Sequence, residues 1–245
     1  MFQTYEEAVD WIHSRLRFGI KPGLKRMTWM MEKLNNPHKQ IRAIHVAGTN
    51  GKGSTIAYMR NVLQEAGYTT GTFTSPFLET FNERISMNGK PISDEEMLFL
   101  VNMIRPLADE LEDTELGGPT EFEVITAMAF YYFGRHEKTD ILLLETGLGG
   151  TYDSTNIAEP ILTMITSIGY DHMNILGNTI EEIAGEKAGI IKEGIPMLTS
   201  VTDERALNVI NQKAKDMNAA VYHDTFPVLN HQPLPRGERF EMKTP

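Results

Sequence analysis

The stretch that decides the fold is Ile41-Arg-Ala-Ile-His-Val-Ala-Gly-Thr-Asn-Gly-Lys-Gly-Ser-Thr55. Its first half is a short apolar run typical of a buried strand, its second half is a glycine-rich turn, and a helix is predicted to open at Ser54. Glycines let consecutive backbone N–H groups turn toward an anion, and the helix directs its positive end to the same point. The stretch therefore predicts a strand–loop–helix unit that binds nucleotide phosphates. Lys52 would be a mobile cation, and a Ser54 or Thr55 hydroxyl would be within reach of Mg²⁺.

Short apolar runs and helical patterns alternate along the rest of the chain. Strands are predicted at 41–47, 70–74, 140–145, 161–166 and 195–201, and helices at about 53–66, 93–112, 120–134, 179–191 and 203–217. Thr4 and Glu7 form a capping-box pattern for a first helix, and a second helix is predicted over 25–34. This pattern predicts an α/β fold in which helices flank a mostly parallel sheet. Ligands should lie beyond the carboxyl ends of its strands.

The bulk composition excludes several classes of protein. The chain has 245 residues, of which 41% are hydrophobic, as expected for a globular protein with a core. It contains no cysteine, which excludes disulfides, thiolate catalysis and cysteine-based zinc sites. The net charge of −10 argues against nucleic acid as a partner. Because the sequence shows neither a secretory signal nor an apolar run of about 20 residues, we expect a cytoplasmic monomer that has no membrane partner.

The glycine-rich loop departs from the commonest phosphate-binding pattern, G-x-x-x-x-G-K-[ST]. That pattern would place a glycine at position 46 and a hydroxyl residue at position 53, where this chain has Val46 and Gly53. The alternative to a nucleotide site is a glycine-rich strand-to-helix turn with a solvated lysine. The residues that we expect to bind ATP are consecutive: Gly48, Thr49, Asn50, Gly51, Lys52, Gly53, Ser54 and Thr55.

Two oxygen-bearing side chains directly follow predicted strands. Glu145 ends the apolar run at 141–144, and Ser75 follows the strand at 70–74. A carboxylate at the carboxyl end of a strand, facing the phosphate loop, is well placed to bind Mg²⁺. A solvated carboxylate is the alternative for Glu145, and a turn residue before Pro76 is the alternative for Ser75.

The string Gly48-Thr-Asn-Gly-Lys-Gly-Ser54 resembles the ATP loop of the folylpolyglutamate synthase family, which is part of the wider Mur ligase superfamily. The resemblance continues in order through Thr74-Ser-Pro-Phe77, Phe81-Asn-Glu-Arg-Ile85, Glu145-Thr-Gly-Leu-Gly-Gly150, Tyr152-Asp-Ser-Thr-Asn156, Tyr170-Asp-His172 and Gly185-Glu-Lys-Ala-Gly189. Six such blocks in this order are highly specific. They imply the P-loop NTPase-like central domain of a Mur ligase, with ATP and Mg²⁺ as cofactors.

The resemblance also implies roles at a metal site. In the family, the serine and the glutamate that match Ser75 and Glu145 hold Mg²⁺, and the histidine that matches His172 serves a second divalent-metal position. From the residues alone, His172 would be a hydrogen-bonding group of a loop, because hard cations prefer oxygen. Together with Lys52 and Lys187, Glu145 and His172 form the predicted catalytic set.

Lys187 matches a family lysine that CO₂ carbamylates, and the carbamate serves the metal site. Carbamylation requires the neutral amine, so a lysine pKa of about 10.4 has to be lowered, or the carbamate strongly stabilised. An ordinary surface lysine is the alternative.

Three residues are predicted to bind substrate. Arg84 lies in the long connection between Ser75 and Ile92, and loops of that length are usually functional or disordered. The resemblance makes Arg84 a partner for a folate carboxylate through bidentate hydrogen bonds. Asp153 and Phe122 are candidates for holding the pterin or aminobenzoate portion, and a core position is the alternative for Phe122.

The reaction that the resemblance implies is ATP-dependent amide ligation through an acyl phosphate. The substrates would be L-glutamate and either folate (folylpolyglutamate synthase) or dihydropteroate (dihydrofolate synthase), and the sequence does not separate these two activities. One alternative is a ligase that acts on a peptidoglycan precursor, which the Thr74–Phe77 and Phe81–Ile85 blocks disfavour. The other is a nucleotide-binding module without ligase activity.

The expected domain organisation favours the second alternative, a nucleotide-binding module without ligase activity. We expect an ATP-binding ligase domain over residues 1–225, either complete or incomplete, and an irregular tail over 226–245. The tail would be either an extra strand pair or a poorly ordered end. Family members carry a Rossmann-like C-terminal domain that contributes to adenine and glutamate binding, and we expect this chain to lack it. The 245-residue chain is therefore expected to ligate weakly or not at all.

Overall fold

A computed structural model describes residues 1–223, 228–235 and 237–242. The helices are α1 Tyr5–Ser14, α2 Lys25–Lys33, α3 Lys52–Glu65, α4 Asp94–Glu112, α5 Glu121–Tyr131, α6 Met173–Leu176, α7 Ile180–Ala188 and α8 Glu204–Asp216. The strands are β1 Ala43–Ala47, β2 Thr70–Phe73, β3 Ile85–Met87, β4 Lys90–Pro91, β5 Ile141–Glu145, β6 Pro160–Ile165, β7 Met197–Thr199, β8 Val221–His223, β9 Val228–Leu234 and β10 Gly237–Met242. Thr4 caps α1 with the predicted capping box.

Eight of these strands form one sheet in the order β4-β3-β2-β5-β1-β6-β7-β8. The six strands β2, β5, β1, β6, β7 and β8 pair in parallel with their neighbours in this order. The strands β3 and β4 are added antiparallel at the edge next to β2. The predicted mostly parallel α/β fold is thus confirmed. Because β1 lies between β5 and β6, the loops that follow these three strands meet at one edge of the sheet, as expected for a ligand site in such folds.

The sheet is covered on both faces, which explains the unbroken apolar run of β5. Leu142 and Leu144 belong to a core that contains buried residues of α1, α2, α4 and α5. Ile141 and Leu143 point the other way, into a core that contains Ile56 of α3. Neither face of the central strands is solvated, so alternation of polar and apolar residues is absent from their sequence.

The prediction of one long open connection between Ser75 and Ile92 is wrong. A short 3₁₀ helix spans Phe81–Arg84, and β3 and β4 follow it as a hairpin. The turn is Asn88-Gly89, and both residues have positive φ angles, 51° and 77°. Asparagine followed by glycine is a strong hairpin signal, because both residues tolerate the left-handed region. Arg84 therefore lies on the structured edge of the sheet.

The described part of the predicted tail is a strand pair. β9 and β10 are antiparallel and form a sheet separate from the main one. Of the two alternatives for the tail, an extra strand pair and a poorly ordered end, these residues form the strand pair. Positions 224–227, 236 and 243–245 lie outside the described residues. Among the helices of the described chain, none combines the length and the apolar character needed to cross a bilayer.

Candidate nucleotide and ligase site

The glycine-rich loop lies at the carboxyl end of β1, at the centre of the sheet. Gly51 adopts a φ angle of 82°, which favours glycine, and it directly precedes α3. A Cβ atom at Gly48 would overlap the side chain of Thr166, so the backbone passes closer to β6 than any other residue would allow. The first N–H groups of α3 have no partner within the helix and no side-chain cap, and they are available to an anion.

The segment after β6 fixes the other half of the loop. The N–H groups of Thr49 and Asn50 donate to the carbonyl and the Oγ of Ser167, each at 2.9 Å. The Thr166 hydroxyl donates to the Asn50 carbonyl at 2.7 Å. Thr166 and Ser167 were missed by sequence reasoning. The sequence could have predicted both residues, because they directly follow β6, and residues directly after a strand that neighbours β1 must face the loop.

Lys52, Glu145 and Ser75 are brought together in front of the loop. Lys52 Nζ donates to the Gly48 carbonyl at 3.0 Å and lies 3.9 Å from Glu145 Oε1. Glu145 Oε2 accepts the Ser75 N–H at 3.2 Å. The Glu145 side chain is buried, and this burial raises its pKa, against the hydrogen bond from Ser75 and the charge of Lys52. The alternatives of a solvated carboxylate and a solvated lysine are therefore wrong.

The donor atoms at this point fit Mg²⁺. Glu145 offers a buried carboxylate, and the N–H group of Ser75 is held against it, which places Ser75 at the same point. Mg²⁺ sites typically use one or two carboxylates and take their remaining ligands from substrate phosphates and water. Among the described residues, no group of three or more His, Asp or Glu side chains is arranged to hold a metal ion.

Lys187 reaches the same loop from α7. It is 2% exposed, and its Nζ donates to the Gly48 carbonyl at 3.1 Å. Burial lowers its pKa to about 8, and Lys52 adds to this shift, while Asp171 and Asp153 oppose it. The alternative of an ordinary surface lysine is wrong. A lowered pKa increases the neutral fraction of the amine, which carbamylation requires, and the modification itself stays a prediction.

A cavity of about 730 Å³ adjoins this group of residues. Five predicted site residues line it: Ser75, Arg84, Phe122, Asp153 and His172. Ser75 belongs both to this cavity and to the Lys52–Glu145 group, so the cavity and the phosphate loop share a boundary.

Arg84 is held at the cavity wall by residues that sequence reasoning missed. Its Nη2 lies 3.6 Å from Glu121 Oε1, and its guanidinium lies 5.5 and 5.3 Å from the ring centres of Phe77 and Phe81. Its Nε atom is buried and has no hydrogen-bond partner among the described residues. A guanidinium fixed by neighbours, with a donor unused, suits the recognition of a ligand carboxylate.

Phe122 serves both the core and the cavity. Its ring centre lies 5.8 Å from that of Phe73, and it passes directly over Gly147, where a Cβ atom would come within 2.5 Å of the ring. Phe122 therefore packs against the core and also lines the cavity, and its role in substrate binding stays a prediction.

Asp153 uses its hydrogen-bonding capacity within its own loop. The N–H groups of Gly147, Leu148 and Thr155 donate to it at 2.9, 2.8 and 3.0 Å, and the Thr155 hydroxyl also donates to it. Burial raises the pKa of Asp153, and these four donors oppose that shift. This arrangement favours a role in shaping the cavity wall over direct capture of a ligand.

His172 directly precedes α6 and has a positive φ angle of 43°. Its side chain is 55% exposed, and its Nε2 lies 3.5 Å from Asp171 Oδ1. The structure thus places His172 at the open side of the cavity, paired with a neighbouring carboxylate. Its predicted role at a second metal position stays a prediction.

The comparisons with known proteins agree with this geometry. The chain matches the Mur ligase middle domain over residues 46–224. It is 61% identical over 247 residues to the dihydrofolate synthase/folylpolyglutamate synthase of Bacillus subtilis (strain 168), a match that covers 100% of this chain and 57% of that protein. The chain thus spans about half the length of the curated relatives that it matches.

Solved structures show the same fold. The apo form of L. casei FPGS superposes with a TM-score of 0.91 at 37% identity, covering 98% of this chain and 59% of that one. An FPGS–AMPPCP–folate complex has a TM-score of 0.89 at the same identity and coverage. The fold, the ordered motifs and these matches agree, and the chain belongs to the Mur ligase family, in the branch of the folylpolyglutamate synthases.

Proposed function

We propose that this chain provides the nucleotide- and folate-binding part of an ATP-dependent ligase that joins L-glutamate to the γ-carboxylate of a folate, with dihydropteroate as a second acceptor. The observation that carries the proposal is the position of Ser75, which contacts Glu145 beside the phosphate loop and also lines the cavity. A nucleotide in the loop and an acid in the cavity would meet at this residue. The relatives are named as folate ligases, which supports this choice of substrate.

The nucleotide would be held by Lys52 and by the free N–H groups at the start of α3. Positioned donors of this kind stabilise the charge that develops on a transferring phosphoryl group. Ser75 and Glu145 would hold Mg²⁺, which supplies further neutralisation of the phosphate oxygens. We keep His172 as the proposed residue of a second metal position, because it lines the same cavity.

The acid would be activated and then ligated in two steps. A folate carboxylate oxygen attacks the γ-phosphorus of ATP, the bond to ADP breaks, and an acyl phosphate forms. The amino group of glutamate then attacks the acyl carbon, loses a proton and displaces phosphate. Arg84 would orient the carboxylate, and Phe122 would form an apolar wall of the cavity for the aromatic part of the substrate.

Replacing Arg84 by lysine is expected to weaken the binding of a folate ligand about 10-fold. Lysine keeps the positive charge but cannot make two parallel hydrogen bonds to a carboxylate. Fluorescence titration with dihydropteroate and with folate would measure the effect. Only folate carries the glutamate carboxylates, so the loss should be larger for folate. Arg205→Lys on the exposed surface of α8 is the matched control. Equal affinity of Arg84→Lys and the parent chain for folate would contradict the assignment.

We also propose that Lys187 is carbamylated. With a pKa of about 8, about half of the side chain is neutral at pH 8 and about a tenth at pH 7. A carbamate signal in ¹³C NMR with ¹³C-bicarbonate should therefore increase between pH 7 and pH 8.5, where surface lysines stay charged. The Lys187→Arg variant should lack this signal. An identical signal in that variant would assign the carbamate to another amine.

Ligase turnover is proposed to depend on the part of the relatives that lies outside the match. The test compares this chain with a fusion to that part of the Bacillus subtilis relative, by measuring glutamate incorporation. We expect turnover in the fusion and little or none in the 245-residue chain. Full turnover by the shorter chain would refute this.

The net charge of −10 supports a soluble monomer, which we propose to act in the cytoplasm.

A further inference from the structure

A buried polar chain crosses the apolar interior behind the cavity. His45 on β1 is fully buried, and its Nε2 lies 2.8 Å from the Oγ1 of Thr155. Thr155 is also fully buried, and its hydroxyl donates to Asp153. Asp153 in turn accepts the N–H groups of Gly147 and Leu148. The series therefore runs from the strand that enters the phosphate loop to the backbone that lines the cavity.

The hydrogen bonds around Asp153 set the directions in this series, because a carboxylate that receives three backbone N–H groups acts as an acceptor. The Thr155 hydroxyl has one proton, which it gives to Asp153, so it must accept from His45. His45 is therefore the neutral tautomer with its proton on Nε2. Burial lowers its pKa to about 3, which agrees with a neutral ring. Its Nδ1 has no partner among the described residues.

A histidine at this position is unfavourable for stability alone. The register partners of His45 on the two adjacent strands are Leu144 and Thr163, both fully buried, and an apolar side chain at position 45 would leave no unpartnered nitrogen in the core. The polar series is therefore retained at an energetic cost. Its far end fixes two N–H groups at the cavity wall.

We propose that His45 and Thr155 are positioning residues for the substrate cavity. Through Asp153 they set the position of the Gly147–Leu148 backbone, over which Phe122 packs, relative to the strand that carries the phosphate loop. Neither residue lines the cavity, so their effect on the ligand is indirect. The inference rests on the proposed function, because the ligand of this cavity is taken to be a pteridine acid.

The matched pair Thr155→Val and Thr155→Ser tests the proposal. Valine keeps the shape of threonine and removes the hydroxyl, whereas serine keeps the hydroxyl. We expect Thr155→Val to weaken dihydropteroate binding about 10-fold and to leave the affinity for an ATP analogue within about 2-fold. Thr155→Ser should behave like the parent chain. Hydrogen exchange at Gly147 and Leu148 should be faster in the valine variant only.

A second variant keeps the test decisive if valine prevents folding. His45→Phe keeps a ring but cannot donate to Thr155. Like Thr155→Val, it should weaken dihydropteroate binding and speed hydrogen exchange at Gly147 and Leu148. Equal loss of both ligands together with a lowered Tm would show a purely structural role and overturn the inference. Unchanged dihydropteroate binding in both Thr155→Val and His45→Phe would also overturn it. If the parent chain binds no pteridine, the proposed function fails instead, and the exchange rates still report whether the series holds Gly147 and Leu148.

Discussion

Replacing Lys52 by methionine is expected to weaken the binding of an ATP analogue by about 10- to 100-fold, the range that loss of a charge-assisted hydrogen bond predicts. Methionine is similar in length to lysine but has no charge and no donor. Lys52 Nζ is anchored to the Gly48 carbonyl and lies beside Glu145, so its position in front of the loop is already fixed. Isothermal titration with a non-hydrolysable ATP analogue and Mg²⁺ would measure the change.

The control for this variant is Lys215→Met, at an exposed position of α8. It removes the same charge from the chain without touching the loop, and it should leave nucleotide affinity unchanged. If Lys52→Met and Lys215→Met bound the analogue equally well, Lys52 would have no role in phosphate binding. The phosphates would then be held by the N–H groups at the start of α3 alone.

Replacing Glu145 by glutamine is expected to abolish the Mg²⁺ dependence of nucleotide binding. Glutamine keeps an oxygen that can accept the Ser75 N–H, but it lacks the charge that Mg²⁺ requires. We expect Mg²⁺ to strengthen the binding of the analogue by at least about 10-fold in the parent chain and not in the variant. A Mg²⁺ effect of equal size in both proteins would place the metal elsewhere.

The same substitution should leave the fold as stable as before, or more stable. Burial raises the pKa of Glu145, so the charged form is disfavoured in the folded state. This penalty is fully present above the raised pKa, decreases as the pH falls below it, and is gone below the ordinary glutamate pKa, where the carboxyl is protonated in both states. At pH 8 the Tm of Glu145→Gln should therefore equal or exceed that of the parent chain, by about 2–4 °C for each kcal/mol of stabilisation. The difference should shrink at acidic pH.

The nucleotide site could be predicted from the sequence because it is local. The strand, the turn and the first turn of α3 are consecutive, and glycine at 51 reports a backbone conformation that few residues adopt. The alternation of strands and helices then placed Glu145 and Ser75 at the same edge as the loop. The rule that ligands bind beyond the carboxyl ends of parallel strands was sufficient to place both residues there.

The contacts that complete the site could not be predicted in the same way. Asn50 and Ser167 are separated by 117 positions in the sequence, and Arg84 and Glu121 come from different elements. Their pairing depends on how the helices pack, which periodicity does not report. The burial of Lys187 was also hidden, because lysine is normally a surface residue and only the packing of α7 reveals the exception.

Gly53 is one of the two positions at which the loop departs from the commonest phosphate-binding pattern. A Cβ atom at this position would make only an ordinary contact, at 3.8 Å from Glu145 Oε2. Space alone therefore does not require glycine there. The commonest pattern places a hydroxyl at this point beside the metal, whereas here the Glu145 carboxylate, which accepts the Ser75 N–H, faces this position.

The central claim is that this one chain holds a nucleotide site and a pteridine-acid site that share a boundary at Ser75. Equilibrium titration of the chain with an ATP analogue plus Mg²⁺, with dihydropteroate, and with a muramyl peptide tests this claim most directly. We predict binding of the analogue and of dihydropteroate, each with one site per chain, and no binding of the peptide. Binding of the analogue and the muramyl peptide, with no binding of dihydropteroate or folate, would contradict it.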